Sequence, residues 1–290
     1  MWCVLMTGPD ADRNVENLPR DSTPSSRGAM NSALRRARAA SAAEVAVVAA
    51  PGRMTVELRA SGQFSTANFF DQPGYRGSAF EVLLALLALE ERVDSTTPVL
   101  FMPTDHVVRQ EPVMVQALAN IGSWVQRDSS LVYLLGAAPD GPHSQLGYIV
   151  PWYDAHDLAS AVYSFVEGPE THRARQLINA GALWNTFIFA GTVPALLGLY
   201  ARAQHQPVVD ALRAAFRQSP SDAGAALSAL YHHLEWLDFS RDILIPNVDR
   251  LGLLRLPRCG WWPLKSPVAG EPGGDADAEG DTRWAAASSH

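Results

Sequence analysis

The sequence predicts an α/β fold in which a mainly parallel, mixed sheet carries helices on both of its faces. Short apolar runs with β-branched residues alternate with stretches of helical composition about ten or more residues long, which is typical of βαβ units. The stretch 77–93 is apolar nearly all round, as expected for a helix packed against a sheet. With 290 residues, 47% of them hydrophobic, the chain is long enough for one large α/β domain or two modest ones.

The first half of the chain alternates regularly between strand and helix. Residues 2–6 and 44–50 are predicted strands, and the stretch 30–41 between them has helical composition with Asn31 as its candidate N-cap. The next pair of predicted strands, with the helix between them, covers 98–102, 111–126 and 130–136.

The second half is less regular. Residues 147–154 and 161–168 look like strands that either extend the sheet or form an antiparallel annex beside it. The remaining predicted elements are a helix at 170–182, an aromatic-rich strand at 183–191, helical structure from Val193 to about Leu237, and a strand at 251–257. We expect these elements to form a single domain over residues 1–265.

The two ends of the chain carry their own signals. The opening apolar run, MWCVLM, is too short for a signal-peptide core or a membrane span, so a cytoplasmic protein is expected. Residues 266–290 are rich in Gly, Ala and acidic residues and poor in large apolar ones, which predicts a disordered acidic tail.

Charge and cysteine content exclude several classes of function. The net charge of −7 argues against a nucleic-acid partner. Cys3 and Cys259 lie at opposite ends of the chain, so neither a disulfide nor a cysteine metal site is supported. Lys265 is the only lysine, which limits the cations available for a phosphorylated ligand.

Seven short motifs occur in the order and spacing of one enzyme family. They are QPGYRGSAF (72–80), MPTDHVV (102–108), LGYI (146–149), FVEGP (165–169), GALWNTFIFAG (181–191), DFSRDIL (238–244) and CGWWPLKSP (259–267). Together they resemble the sugar-1-phosphate nucleotidyltransferases, and within these the mannose-1-phosphate guanylyltransferase branch. The resemblance extends from the first strand to about Pro267.

The resemblance implies a fold, a reaction and a set of partners. The fold is the Rossmann-like, GT-A-like architecture of the nucleotide-diphospho-sugar transferases, as a single domain. In the reaction mannose 1-phosphate attacks the α-phosphorus of GTP, giving GDP-mannose and pyrophosphate, with Mg²⁺ between the phosphates. The partners are then a nucleoside triphosphate or nucleotide-sugar and a sugar 1-phosphate, with no nucleic acid and no membrane. A homodimer and a complex with a paralogue both stay open.

At the nucleotide end, the resemblance assigns roles to two motifs. Asp105 stands at the metal-binding and catalytic Asp of the family's P-x-D-H motif, and its alternative role is to cap a following helix. Arg76, Gly77 and Ser78 match a motif that lies beside the nucleotide in relatives, where the glycine lets the backbone approach a base or phosphate. An ordinary helix start capped by Ser78 is the alternative.

At the sugar end, four residues match positions that contact the sugar in relatives. Gly147 resembles a glycine that makes room for the sugar, and Glu167 and Asn185 match a carboxylate and an amide that bind its hydroxyl groups. Asp242 matches a carboxylate before the final strand, with a solvated helix residue as the alternative.

Several positions depart from the family pattern. The chain reads TGPDADRN where the family has a Gly-rich phosphate loop, so Gly8 alone fits and Pro9 lacks an N–H donor. Arg13 lies at about the right distance to replace the family's arginine. Gly168 stands where a lysine would meet the sugar phosphate, and Pro263 stands where the second magnesium carboxylate belongs.

These departures predict impaired catalysis. Losing one preorganised charge contact typically slows a reaction about 10²- to 10³-fold, and here several are missing together. Lys265 could act as a substitute catalytic cation, or Asp105 and Asp242 could hold magnesium in a rearranged site. The leading hypothesis is a weakly active or inactive nucleotidyltransferase. The alternative is a non-catalytic pseudoenzyme that binds ligand or regulates an active paralogue.

Overall fold

The structure, a computed structural model, describes residues 1–8, 26–40, 44–50, 56, 59–65, 68–152, 159–217 and 220–264. Two predicted site residues, Arg13 and Lys265, and the predicted tail 266–290 lie outside the described residues. None of the helices in the described ranges combines the length and the apolar composition that crossing a bilayer requires.

The described strands are β1 (Trp2–Met6), β2 (Glu44–Ala49), β3 (Phe69–Asp71), β4 (Pro98–Pro103), β5 (His106–Val107), β6 (Val132–Ala137), β7 (Tyr148–Pro151), β8 (Ala159–Val166), β9 (Leu183–Thr192), β10 (Leu251–Leu256) and β11 (Trp262–Pro263). The strands in the middle of the sheet, such as β1, β4 and β6, are almost entirely buried, whereas β8 is partly exposed.

The described helices fall between the strands, with five consecutive helical segments between β9 and β10. They are α1 (Ser26–Ala39), α2 (Ser78–Leu89), α3 (Glu111–Arg127), α4 (Thr171–Asn179), α5 (Val193–Arg202), α6 (Gln206–Phe216) and α7 (Pro220–His233), followed by a π-helical turn (Phe239–Leu244) and a 3₁₀ helix (Ile245–Arg250).

Nine of the described strands form one mixed sheet in the order β3-β2-β1-β4-β9-β6-β10-β8-β7. The first four neighbours are all parallel, and so are β6 and β10. Strand β9 runs antiparallel between β4 and β6, and β8 runs antiparallel to both β10 and β7. A separate two-stranded ribbon joins β5 to β11.

Helices cover both faces of the sheet. Because side chains alternate along a strand, Val4 and Met6 of β1 face one core, whereas Cys3 and Leu5 face the other. Helices α2, α5, α6 and α7 pack on the first face, and α1, α3 and α4 pack on the second. The predicted α/β fold is therefore confirmed.

Two details differ from the sequence-based expectation. Helix α1 begins at Ser26, so Asn31 lies inside it and is not its N-cap. Ala29, Met30 and Ala33 are all buried, and this apolar stripe carries the helix one turn further toward its N-terminus. Strand β9 is antiparallel and central, a direction that hydrophobic periodicity does not encode.

Candidate functional site

A cleft of about 320 Å³ opens at the carboxyl ends of β1 and β4. Strand β1 leads through α1 to β2 on one side, whereas β4 lies on its other side, so the chain order switches direction between β1 and β4. Such a switch point is the usual ligand site of an open α/β sheet. Six of the predicted site residues line this cleft: Gly8, Ser78, Asp105, Gly147, Glu167 and Asn185.

One wall of the cleft contains a buried carboxyl group that sequence reasoning missed. Glu81, only 3% exposed, lies in the first turn of α2, and its Oε1 accepts the Gly8 N–H at 3.1 Å. Burial raises the pKa of Glu81 to about 7; the backbone N–H groups of Gly8 and Thr7 oppose this rise, and the charge of Asp105 adds to it. The available signal was a single charged residue within the apolar helix SAFEVLLALLAL.

The floor of the cleft is formed where β4 passes into the β5–β11 ribbon. Asp105 follows β4, and its side chain is 44% exposed. The Asp105 carbonyl accepts the Leu264 N–H at 2.7 Å, and Pro263 pairs with His106. The ribbon thus brings Pro263 to the cleft wall close to Asp105, in the region where the resemblance predicts a second metal carboxylate.

Next to Asp105, a partly buried ion pair links the ribbon to two helices, and its Glu111 side chain is 43% exposed. Arg36 of α1 is 3% exposed and donates to both carboxylate oxygens of Glu111 in α3, at 2.6 and 2.9 Å. The same guanidinium donates to the His106 carbonyl at 3.4 Å. Burial, with a smaller contribution from Arg36, lowers the pKa of His106 to about 3, so this imidazole is neutral.

The fit of a magnesium ion depends on Asp105. The Pro263 side chain carries no oxygen, and within the described residues no three His, Cys, Asp or Glu side chains converge as metal ligands. Magnesium sites in nucleotide enzymes commonly use one or two carboxylates and complete the shell with substrate phosphates and water. Asp105 fits the one-carboxylate form of such a site.

The opposite wall is built by an irregular stretch of β9. Its pairing with β6 shifts between Asn185 and Ile188, so Thr186 and Phe187 are inserted into the ladder. Phe187 adopts a φ of 56°, which non-glycine residues rarely do, and its N–H is satisfied by Asn185 Oδ1 at 2.9 Å. Bulges commonly re-aim a side chain next to an active site, and here Asn185 reaches the cleft.

Asn185 joins Glu167 and Ser240 in a polar cluster. Asn185 Nδ2 donates to Ser240 Oγ at 3.2 Å, and both side chains hydrogen-bond to the Glu167 carboxyl group. Burial, reinforced by the charge of Asp238, raises the pKa of Glu167 to about 7 despite these hydrogen bonds. Near neutral pH this group therefore exists in both protonation states and can both donate to and accept from hydroxyl groups.

Gly147 makes room for this cluster. A Cβ at position 147 would lie 2.5 Å from Glu167 Oε1, and the Gly147 carbonyl accepts the Asn185 N–H at 2.7 Å. The resemblance predicts that the missing side chain makes room for a sugar. In the structure, the space is taken by the carboxyl group itself.

Arg76 and Gly77 make their contacts within the protein. The Arg76 side chain donates to the Tyr231 carbonyl at 2.8 Å and is not among the described residues that line the cleft. Gly77 has a φ of 103°, and a Cβ there would lie 2.0 Å from the Leu237 carbonyl oxygen. The close backbone approach that Gly77 permits is thus to Leu237, which replaces the expected approach to a base or phosphate.

The π-helical turn brings Asp238, rather than Asp242, to the cleft. Asp242 Oδ2 accepts the Asp238 N–H at 2.7 Å, so its carboxylate stabilises the turn and lies away from the described cleft wall. Ser78 does line the cleft; its hydroxyl donates to Asp238 at 3.1 Å and accepts the Phe239 N–H at 2.8 Å. Asp238, four residues before Asp242, therefore contributes a carboxylate to the described cleft wall.

The described wall of the cleft is acidic. Its carboxyl groups belong to Glu81, Asp105, Glu167 and Asp238, and the described lining residues include no lysine or arginine. A phosphorylated ligand therefore receives no cationic side-chain contact from this part of the chain.

Known proteins share the sequence pattern. A model of the nucleotidyl transferase family matches residues 29–238. The alginate biosynthesis proteins AlgA of Pseudomonas aeruginosa and Pseudomonas syringae pv. tomato are 29% and 28% identical to the chain over 136 residues, or 46% of its length. The match spans 27% and 28% of the length of those proteins.

Solved structures share the fold. A mannose-1-phosphate geranyltransferase from Thermus thermophilus superposes with a TM-score of 0.72 at 21% identity, covering 90% of this chain and 75% of that one. A mannose-6-phosphate isomerase from Helicobacter pylori gives 0.66 at 15% identity, covering 90% and 98%. The sequence-based expectation of a GT-A-like, sugar-1-phosphate nucleotidyltransferase architecture is confirmed. The chain belongs to the nucleotidyl transferase family.

Proposed function

We propose that the chain binds a nucleoside triphosphate and a sugar 1-phosphate in this cleft and transfers the nucleotidyl group slowly. One observation carries the proposal: the end of β1 at Gly8, the Asp105 carboxyl group and the cluster of Glu167 and Asn185 share one cavity. Its volume of about 320 Å³ lies within the usual range for small-molecule sites.

GTP and mannose 1-phosphate are the proposed substrates. The motifs resemble those of the mannose-1-phosphate guanylyltransferases, and the T. thermophilus protein that shares the fold is named for mannose 1-phosphate as well. In the reaction an oxygen of the sugar phosphate attacks the α-phosphorus of GTP, the bond between that phosphorus and the bridging oxygen breaks, and pyrophosphate leaves. GDP-mannose is the other product.

The residues of the chain mainly position the substrates. Glu167 and Asn185 are proposed to bind sugar hydroxyl groups, which suits their side-chain donors and acceptors. Asp105 lies toward the nucleotide and would hold Mg²⁺ together with phosphate oxygens. When bound there, the ion would neutralise part of the negative charge of the phosphates.

Slow turnover follows from the charge of the cleft. Phosphoryl transfer depends on cations that stabilise the phosphate oxygens, and the described wall has four carboxyl groups and no basic side chain other than the neutral His106. Each missing contact of this kind typically slows the reaction by about 10²- to 10³-fold.

The reaction can be tested through Asp105. Incubation with GTP, mannose 1-phosphate and MgCl₂ is expected to release pyrophosphate slowly, and Asp105→Asn is expected to lower that rate by about 10²-fold, because the cleft loses its magnesium carboxylate. Asp94→Asn is the matched control. Asp94 is exposed and precedes β4, so it lies by the amino end of that strand, away from the cleft at the carboxyl ends. Equal rates for the Asp105 and Asp94 variants would contradict the assignment.

The sugar end can be tested through Gly147. Gly147→Ala is expected to weaken binding of GDP-mannose about tenfold, since the new methyl group pushes Glu167 out of its cluster with Asn185 and Ser240. The measurement is titration calorimetry. Gly141→Ala is the control, because a Cβ at that position meets nothing within 4 Å. Unchanged affinity in Gly147→Ala would place the sugar elsewhere.

A non-catalytic role is the second candidate, and the acidic cleft wall favours it. A pseudoenzyme that binds a sugar nucleotide, or that regulates an active paralogue, needs the cleft without fast phosphoryl transfer. This role predicts GDP-mannose binding with no pyrophosphate release above a buffer blank, and co-elution with the paralogue on gel filtration when the role is regulatory.

A further inference from the structure

The carboxyl group of Glu81 occupies an unusual position for a helix residue. It lies in α2, whose other residues from Ala79 to Leu89 carry no charge, and it is 3% exposed. Its Oε1 accepts the N–H of Gly8, which lies 73 positions earlier in the chain. The contact therefore joins α2 to the segment that leaves β1.

The Gly8 N–H lies where an anion-binding donor is expected. It follows the carboxyl end of β1 at the switch point of the sheet, where backbone N–H groups commonly bind phosphates and other anions. The next residue, Pro9, has no N–H to contribute. In this structure the Gly8 N–H instead donates to a carboxyl oxygen of the chain itself, Glu81 Oε1.

Both groups face the same cavity. Gly8 and Glu81 line the cleft together with Asp105, whose negative charge acts on Glu81. A phosphate that approached the end of β1 would have to displace the Glu81 carboxyl group from the Gly8 N–H and would meet two carboxylates there. Like charges within a few ångströms of each other in a partly buried site oppose binding strongly.

We propose that the Glu81 carboxyl group occupies the phosphate-facing N–H at the end of β1 and weakens the binding of polyphosphate, including that of a nucleoside triphosphate, at that end of the cleft. This inference rests on the proposed function only in taking the cleft as the nucleotide site. Glu81 then acts as a specificity-determining residue. It disfavours ligands that place a free polyphosphate chain beside β1 and tolerates ligands that place fewer charges there.

The experiment compares Glu81 variants with inorganic tripolyphosphate as the probe. This probe carries neither base nor sugar, so its binding reports only on the anion site. By titration calorimetry at pH 8, above the Glu81 pKa of about 7, Glu81→Gln and Glu81→Met are expected to bind tripolyphosphate about tenfold or more tightly than the wild type, because one like charge is removed. Glu81→Asp keeps the charge and is expected to stay close to the wild type.

A matched control corrects for net charge. Glu91→Gln changes the charge of the protein by the same amount, but the Glu91 side chain is 76% exposed and is not among the described residues of the cleft wall. Its affinity for tripolyphosphate is expected to match that of the wild type. If Glu91→Gln tightened binding as much as Glu81→Gln, the effect would be one of overall charge and the inference would be overturned.

Amide exchange gives a readout that needs no ligand and no variant. The Gly8 N–H is expected to be protected from hydrogen exchange in the wild type, since it is bonded to Glu81. Rapid exchange at Gly8 in the wild type would overturn the inference. So would folded Glu81→Gln or Glu81→Met proteins, as shown by circular dichroism, that bind tripolyphosphate no more tightly than the wild type.

GDP-mannose binding separates this inference from the proposed function. If the wild type binds GDP-mannose but neither neutral Glu81 variant gains affinity for tripolyphosphate, the proposed function stands and the inference fails. If both neutral variants gain affinity while no protein binds GDP-mannose or releases pyrophosphate, the inference stands and the proposed function fails.

Discussion

Gly77→Ala is expected to destabilise the folded protein by about 3 kcal/mol or more. The methyl group would lie 2.0 Å from the Leu237 carbonyl oxygen and 2.8 Å from its carbonyl carbon, and both are backbone atoms that have no rotamer to change. The φ of 103° at position 77 adds strain for any residue with a Cβ.

The damage is expected to spread to the cleft. The Leu237 N–H donates to the Arg76 carbonyl at 3.1 Å, and the Leu237 carbonyl accepts the Ala79 N–H at 3.2 Å, so the two segments are bonded on both sides of Gly77. Separating them breaks these bonds and shifts Asp238 and Ser240, which follow Leu237 and line the cleft.

Urea denaturation measures this effect, with Gly74→Ala as the matched control. Gly74 lies on the same loop, and a Cβ there meets nothing within 4 Å. The control is expected to stay within about 0.5 kcal/mol of the wild type. Similar midpoints for the two alanine variants would show that the loop and the Leu237 segment do not pack as described.

Glu81→Gln is expected to change the pH dependence of stability. The folded-state pKa of Glu81, about 7, lies above the ordinary value of 4.5, because burial disfavours the charged form. The folded protein thus holds this proton more tightly than the unfolded chain does. Stability falls as the pH rises from about 4.5 to about 7, and the full penalty is present above that window.

The size of this effect follows from the two pKa values. Between pH 5 and pH 8 the ionisation of Glu81 is expected to remove about 2 kcal/mol of stability from the wild type. Glu81→Gln has no such group, so its stability relative to the wild type should rise by about that amount over the same range. His106, neutral in the folded state, destabilises both proteins equally toward low pH and cancels in the difference.

Denaturation curves at pH 5, 6, 7 and 8 test this expectation. The matched control is Glu91→Gln, which removes a carboxylate that is 76% exposed and, within the described residues, pairs only with the exposed Arg217 at 3.8 Å, so its stability at pH 7 should lie within about 0.5 kcal/mol of the wild type. A constant difference between Glu81→Gln and the wild type across the four pH values would mean that Glu81 titrates in the folded state as it does in the unfolded chain.

Much of the fold was predictable because its signals are local. The apolar runs at β1, β2, β4 and β6 are each long enough to be recognised as buried strands, and α2, apolar on nearly every side, has the pattern of a helix packed on a sheet. The direction of β9 was not predictable, since an antiparallel insertion between β4 and β6 depends on pairing partners that are far apart in sequence.

The site was predictable in part for a similar reason. Motif order placed Asp105, Glu167 and Asn185 in one cleft, and the structure brings them together. Position alone did not show that the Asp242 carboxylate accepts the Asp238 N–H, nor that Asp238 lines the cleft.

The sequence by itself determined the family, the alternation of strands and helices, and the scarcity of lysine, because each of these is carried by residue type and spacing. Only the tertiary structure decided how the remaining groups are used. It placed Glu81 on the Gly8 N–H, packed Gly77 against Leu237, and set the Glu167 carboxyl group against Gly147. Such contacts join segments that are distant in the chain, and their energies depend on burial and on distances of a few ångströms, which residue order does not specify.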